Sequence, residues 1–184
     1  MSLTDTTRAY GIVSIFNHWV GVVLIFTLLI IGLQFEDLPR GDERTALIAL
    51  HMSIGVLAFA WLAFRVIWRL TSGFPAETPG GRAWEQKLSR IVHWLLLAAI
   101  ATAILSGPLS VLAMGRGIDV FGWFTVPAFL PGNRTLHEIF ETLHAISAKP
   151  LLIVLLILHI GGAFKHAVID RDTTLARMLR PAAE

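Results

Sequence analysis

Apolar and polar positions alternate along this chain in long blocks. Four apolar runs reach the roughly 20 residues that a membrane-crossing helix needs. They are Ile12 to Leu33, Ala46 to Trp68, Ile91 to Met114 and roughly Ile139 to Val168. A shorter apolar patch, Ile118 to Leu130, is broken by Gly122 and Pro127 and reads as an interfacial or re-entrant loop. Pro108, just after Gly107, predicts a kink in the third run, and Pro150 beside Lys149 predicts a bend in the fourth. No internal repeat or low-complexity tract interrupts the pattern. The pattern predicts an all-α membrane protein, a four-helix bundle forming one transmembrane domain over residues 1–184.

Composition agrees. The chain has 184 residues, 55% hydrophobic and 15% charged, with a mean hydropathy of +0.68. These values leave no room for a soluble domain beside four spans. No cysteine is present. Disulfides, thiolate-bound iron–sulfur clusters and the thioether attachment of a c-type haem are thereby excluded. The N-terminal segment lacks the short apolar core and cleavage site of a signal peptide, so the first run is expected to be a retained span.

Charge sets the expected orientation. Arg65, Arg69, Arg82, Lys87 and Arg90 follow the second run, and Lys165, Arg171, Arg177 and Arg180 lie in or near the tail. On the other side, Arg40 and Arg44 are diluted by Glu36, Asp37, Asp42 and Glu43, leaving Arg116 and Arg134. The excess of basic residues places both termini and the middle loop in the cytoplasm. Trp68, Trp84, Trp94 and Trp123 fall near span ends, as an aromatic belt requires.

Histidines inside such runs are the chemically informative residues, because ionisable groups are costly there. His144 and His159 share the fourth run. On a straight helix their fifteen-residue interval puts them about 22 Å apart along the axis and about 60° apart around it. His18 matches His159 in depth, and His51 matches His144. Two facing helices can supply the two axial nitrogens of an iron porphyrin. The depths therefore predict two bis-histidine b-type haems, with His18 and His159 on the cytoplasmic side and His51 and His144 on the outer side. Gly21, Gly55, Gly161 and Gly162 would give a flat macrocycle room. Proton relay, metal binding and plain helix packing are the alternatives. His166 is the rival to His159, lying nearer Arg171 and water.

Other residues carry two readings each. His93 and His166 are candidates for a quinone headgroup site or for ordinary interfacial histidines. Arg65 and Arg69 are candidates for haem propionate contacts or for positive-inside anchors. Lys149 is expected to snorkel outward or to meet a carboxylate. His137 with Glu138 and Glu141 marks a weak metal site or a solvated helix start.

Several segments together resemble the bacterial cytochrome b561 family of small di-haem membrane cytochromes. They are NHW at Asn17 to Trp19, ALHMSIG at Ala49 to Gly55, FRVIWRL at Phe64 to Leu70 and VHW at Val92 to Trp94. A span interrupted by Gly-Pro follows, then paired LH motifs, Lys165–His166 and the ending DTTLARM at Asp172 to Met178. The resemblance covers nearly the whole chain and implies haem b ligation at His18, His51, His144 and His159. One departure is that the interval from His144 to His159 is one residue longer than the family implies, which makes His137 the alternative outer ligand.

The resemblance implies a multi-pass bacterial inner-membrane protein that moves electrons and exchanges them with a ubiquinone-type pool. Its leading enzymatic form is oxidation of superoxide with quinone as acceptor. The mixed charge of the outer loops gives little steering to an anionic radical. A haem-bearing membrane subunit of a larger respiratory complex, working with a redox partner protein, is a second expectation. A non-redox transporter or proton channel is a third. No nucleic-acid partner is expected.

Overall fold

The computed structural model describes residues 2–76 and 82–181. Four helical segments in it are long and apolar enough to cross a membrane. Three are α1 (Ile12–Asp37), α2 (Asp42–Ser72) and α3 (Ala83–Ala113). The fourth combines α4 (Arg134–Ile146), a π-helical turn over Ser147–Leu151, α5 (Leu152–Lys165) and a second π turn over His166–Asp170. Each helix begins or ends outside the apolar run that predicted it, because polar turns extend it beyond the hydrocarbon. Asp42 and Glu43 occupy the first turn of α2, where the helix dipole favours them. The side chain of Asn133 caps α4 by accepting from the Leu136 N–H at 3.0 Å.

Consecutive helices pack side by side: α1 on α2, α2 on α3, and α3 on α4 and α5. Among the described residues, α1 makes no extensive contact with α4 or α5. The bundle therefore keeps a gap between its first and last spans. A central layer of Ala58, Leu62, Ile100 and Leu152, with Leu24, Ile25 and Leu28 against it, fills mid-bundle. Large apolar side chains such as Val23, Ile157 and Phe164 point outward. That is the arrangement lipid requires, since no hydrophobic force separates core from surface there.

The Ile118 to Leu130 patch is not a plain loop. Ile118–Val120 and Phe124–Val126 form an antiparallel hairpin, β1 and β2, with Val120 opposite Phe124. Phe121 (φ 54°) and Gly122 (φ 70°) both take left-handed backbone at its tip, as a tight primed turn demands. Ser53 pins the hairpin to α2: its hydroxyl donates to Asp119 O at 3.3 Å and accepts from the Phe121 N–H at 3.2 Å. Ile118 and Val120 are buried, so the patch is apolar because it plugs the end of the bundle.

The two prolines behave differently. Helix α3 continues through Pro108. Pro150 sits within the π turn that joins α4 to α5. A π turn takes in one extra residue, and the His144–His159 interval spans it. It reduces the effective interval to fourteen helical steps, or about 40° of rotation. The surplus residue noted in the sequence is thus absorbed locally, and both imidazoles stay on one face.

Candidate functional site: two facing imidazole pairs

At the end of the bundle that carries both chain termini, His18 of α1 faces His159 of α5 across the gap. Their ring centres are 6.2 Å apart. At the opposite end, His51 of α2 faces His144 of α4, also at 6.2 Å. Two metal–nitrogen bonds of about 2 Å each, with roughly 1 Å from nitrogen to ring centre, hold trans imidazoles about 6 Å apart. Both pairs match that separation.

Backbone geometry aims the rings. The Nδ1 of His144 is 2.9 Å from the carbonyl of Ala103. Donation there leaves Nε2 with its lone pair free, the tautomer a metal ligand needs. Gly107, one turn on from Ala103, gives the ring its space. A Cβ at Gly107 would stand 2.9 Å from Cε1 of His144. The buried Nδ1 of His51 has no hydrogen-bond partner among the described residues. His137 points elsewhere. Its Nδ1 meets the Ser110 carbonyl at 2.9 Å and its Nε2 lies 3.5 Å from Glu141.

The termini-end pair opens into a cavity of about 500 Å³ lined by His18, His93, His159, His166, Arg65 and Arg177, among others. His93 of α3 is not an isolated interfacial residue. Its ring centre is 5.2 Å from that of His159, and Phe74 stacks on it at 5.4 Å. Arg65 Nη2 lies 3.1 Å from Nδ1 of His18. A guanidinium only donates, so this contact requires the lone pair on Nδ1 and the proton on Nε2. As an iron ligand through Nε2, His18 would carry its proton on Nδ1 and could no longer accept from Arg65, which lines the adjoining cavity. Gly21 gives it room, since the Arg65 Cδ lies 3.1 Å from where a Cβ would be.

Arg69 is spent elsewhere. It is 6% exposed, donates to Asp5 Oδ2 at 2.6 Å and to the Gly73 carbonyl at 2.7 Å, and also contacts the Ser14 hydroxyl. It ties the N-terminal segment to α2. His166 also has fixed partners: Asp172 Oδ2 at 2.7 Å and Asp170 Oδ2 at 3.2 Å from its Nδ1. Burial disfavours the Asp172 carboxylate, but the Thr174 amide and hydroxyl and His166 outweigh it and hold the carboxyl below the usual range. Lys149 does meet a carboxylate, Glu36 at the end of α1.

The model of prokaryotic cytochrome b561 matches residues 9–181. This chain belongs to the prokaryotic cytochrome b561 family. Cytochrome b561 homolog 2 of Escherichia coli (strain K12) is 34% identical over 180 residues, covering 97% of this chain and 95% of the relative. Cytochrome b561 homolog 1 of the same strain is 24% identical over 172 residues, covering 90% and 93%. A cytochrome b561 is a membrane cytochrome b, so this multi-pass bacterial membrane protein binds b-type haem and transfers electrons. The residues fit that group: two imidazole pairs have the spacing of axial ligands, Gly21 and Gly107 thin the walls beside them, and a cavity adjoins one pair.

Several residues of this cytochrome b561 carry no distinctive sequence signal. Ala103 acts through its carbonyl, which any residue possesses. Asp5 lies in a segment with no periodicity. The one available hint was Gly107, which precedes a proline on a span and so invites a close approach.

Proposed function

We propose that the protein binds two b-type haems, one between His18 and His159 and one between His51 and His144, and passes electrons between the membrane surfaces to a quinone pool. Equal 6.2 Å separation of both facing pairs is the observation that carries this reading. Haem b, when bound, supplies reversible one-electron chemistry at each level. The chain's own work is to hold and orient. Ala103 sets the tautomer of His144, and the Ala58–Leu62–Ile100–Leu152 layer excludes water between the two levels. The basic termini end faces the cytoplasm of a bacterial inner membrane, following the Lys and Arg excess.

The quinone headgroup is assigned to the cavity at that end. His93 and His166 line it and supply hydrogen bonds to the carbonyl oxygens. His166 is backed by Asp172, which positions it to hand over a proton as the quinone is reduced. The aromatic ring of Phe74 gives the headgroup an apolar wall.

Superoxide as the electron donor is the enzymatic form of this proposal. Two of the basic residues that could steer an anion at the outer end are paired, Lys149 with Glu36 and Arg134 with Glu138. Electron exchange with quinone therefore ranks ahead of superoxide oxidation. Purified protein given a superoxide source and a short-chain quinone tests that form. Haem reduction followed by quinol formation is the expected result if superoxide is the donor. A silent Soret band removes superoxide and leaves quinone exchange standing. For the reading as a whole, pyridine extraction should return two haems per chain, and a colourless protein would refute it.

A further inference from the structure

Arg177, one of the basic residues of the tail, lies in the short 3-10 turn Ala176–Met178. In the fold it lines the same cavity as His18 and His159. Its Nη1 donates to the Ala76 carbonyl at 3.0 Å, and its guanidinium lies 5.6 Å from the ring centre of Tyr10. Arg69 lies 5.5 Å from the same ring centre. These contacts fix the plane of the guanidinium. The Met178 carbonyl accepts from Trp19 Nε1 at 2.8 Å, so the turn is fastened beside His18.

The remaining nitrogens of Arg177, Nε and Nη2, are both buried and have no hydrogen-bond partner among the described residues. Leaving two donors of a charged group buried and unpaired is costly. The cost is met when a ligand satisfies them. Nε and Nη2 are neighbours on one edge of the guanidinium, and that edge is a two-pronged fork matched to the two oxygens of a carboxylate. Arg69, by contrast, already holds Asp5.

We infer that the Nε–Nη2 edge of Arg177 is a carboxylate-binding site, and that its occupant is a propionate of the haem held by His18 and His159. This rests on the ligand assignment proposed above. Arg177 is a positioning residue: it orients the macrocycle and places one positive charge beside it, and it takes no part in ligation. Arg65, once released from His18, is the second candidate for the other propionate.

The test uses purified full-length protein, wild type, Arg177→Gln and Arg177→Lys, loaded with haem b or with its dimethyl ester. His18→Ala is the control for the ligand assignment. Loss of one haem in that control, with retention of the other, secures the assignment. Full haem content in it removes the assignment and this inference together. With natural haem, Arg177→Gln should lower the midpoint potential of the His18–His159 haem and speed its loss to apomyoglobin, leaving the other haem unchanged. Removing a nearby cation disfavours the reduced, more negative state. Arg177→Lys should restore the potential but not the retention, because a point charge replaces a fork. In wild type the ester should speed loss of the His18–His159 haem as Arg177→Gln does, while raising rather than lowering its potential because esterification removes anionic charge, and in Arg177→Gln it should add nothing to the loss through this arginine. An Arg177→Gln protein with wild-type potential and retention overturns the inference. So does one that only raises the KM for quinone, which would mean that the fork serves the headgroup.

Discussion

Gly107 and His144 are in direct apposition: the glycine's missing side chain is the space that the imidazole occupies, 2.9 Å from the position a Cβ would take. The Ala103 carbonyl, one turn earlier on α3, then fixes the ring's tautomer. Gly107→Ala forces the ring away from His51 or distorts α3, an overpacking cost of about 1–3 kcal/mol. Haem content is expected to fall from two to about one per chain, with the His18–His159 pigment retained. Pyridine haemochromogen assay and a reduced-minus-oxidised spectrum measure it.

The π turn over Ser147–Leu151 makes a second prediction. If it only absorbs one residue, removing one restores a plain helix with the same face. Deletion of Ala148 combined with Pro150→Leu should keep both haems and their midpoint potentials. A control that inserts a residue after Leu152 rotates His159 by about 100° relative to His144 and should lose haem. Equal haem content in the two variants would show that the turn does not set the register.

Arg69 and Asp5 form a buried pair with side chains each 8% exposed. Breaking such a pair from one side leaves an uncompensated charge and costs about 3–5 kcal/mol. Arg69→Met and Asp5→Asn should each lower the thermal midpoint in detergent, with the double variant less damaged than the two losses added together. Haem content should hold in all three, since neither residue touches an imidazole of the facing pairs.

Asp172 gives a pH dependence. Its folded carboxyl titrates below its unfolded value, so its contacts with Thr174 and His166 are fully present above about pH 4 and are lost as pH falls through the folded value. Proteolysis or hydrogen exchange of the tail should accelerate on acidification through that range. Asp172→Asn should show fast exchange already at neutral pH and no further acid step. The carboxylate is partly exposed, so the effect on global stability is expected to be small.

The fold was largely legible because lipid forces a simple code: long apolar runs become helices, and a histidine within one must have a reason to be there. His18, His51, His144 and His159 could be paired by depth for that reason. Straight-helix arithmetic between His144 and His159 leaves out the π turn over Ser147–Leu151, which periodicity does not reveal. The hairpin at Ile118–Val126 looked like a broken apolar loop because its strands are three residues each. Arg69 offered no sign of its commitment, as its partner lies 64 residues away. Arg177 and the other basic residues look alike in sequence, and its buried, unpaired Nε and Nη2 emerge only from the fold.

One measurement bears most directly on the proposed pairing: haem content and reduced-minus-oxidised spectra of His18→Ala, His159→Ala, His51→Ala and His144→Ala, each against wild type. The account predicts two spectral classes. The first two variants should lose one and the same haem, and the last two should lose the other. Four variants that each retain both haems, or losses that pair His18 with His51, would contradict it.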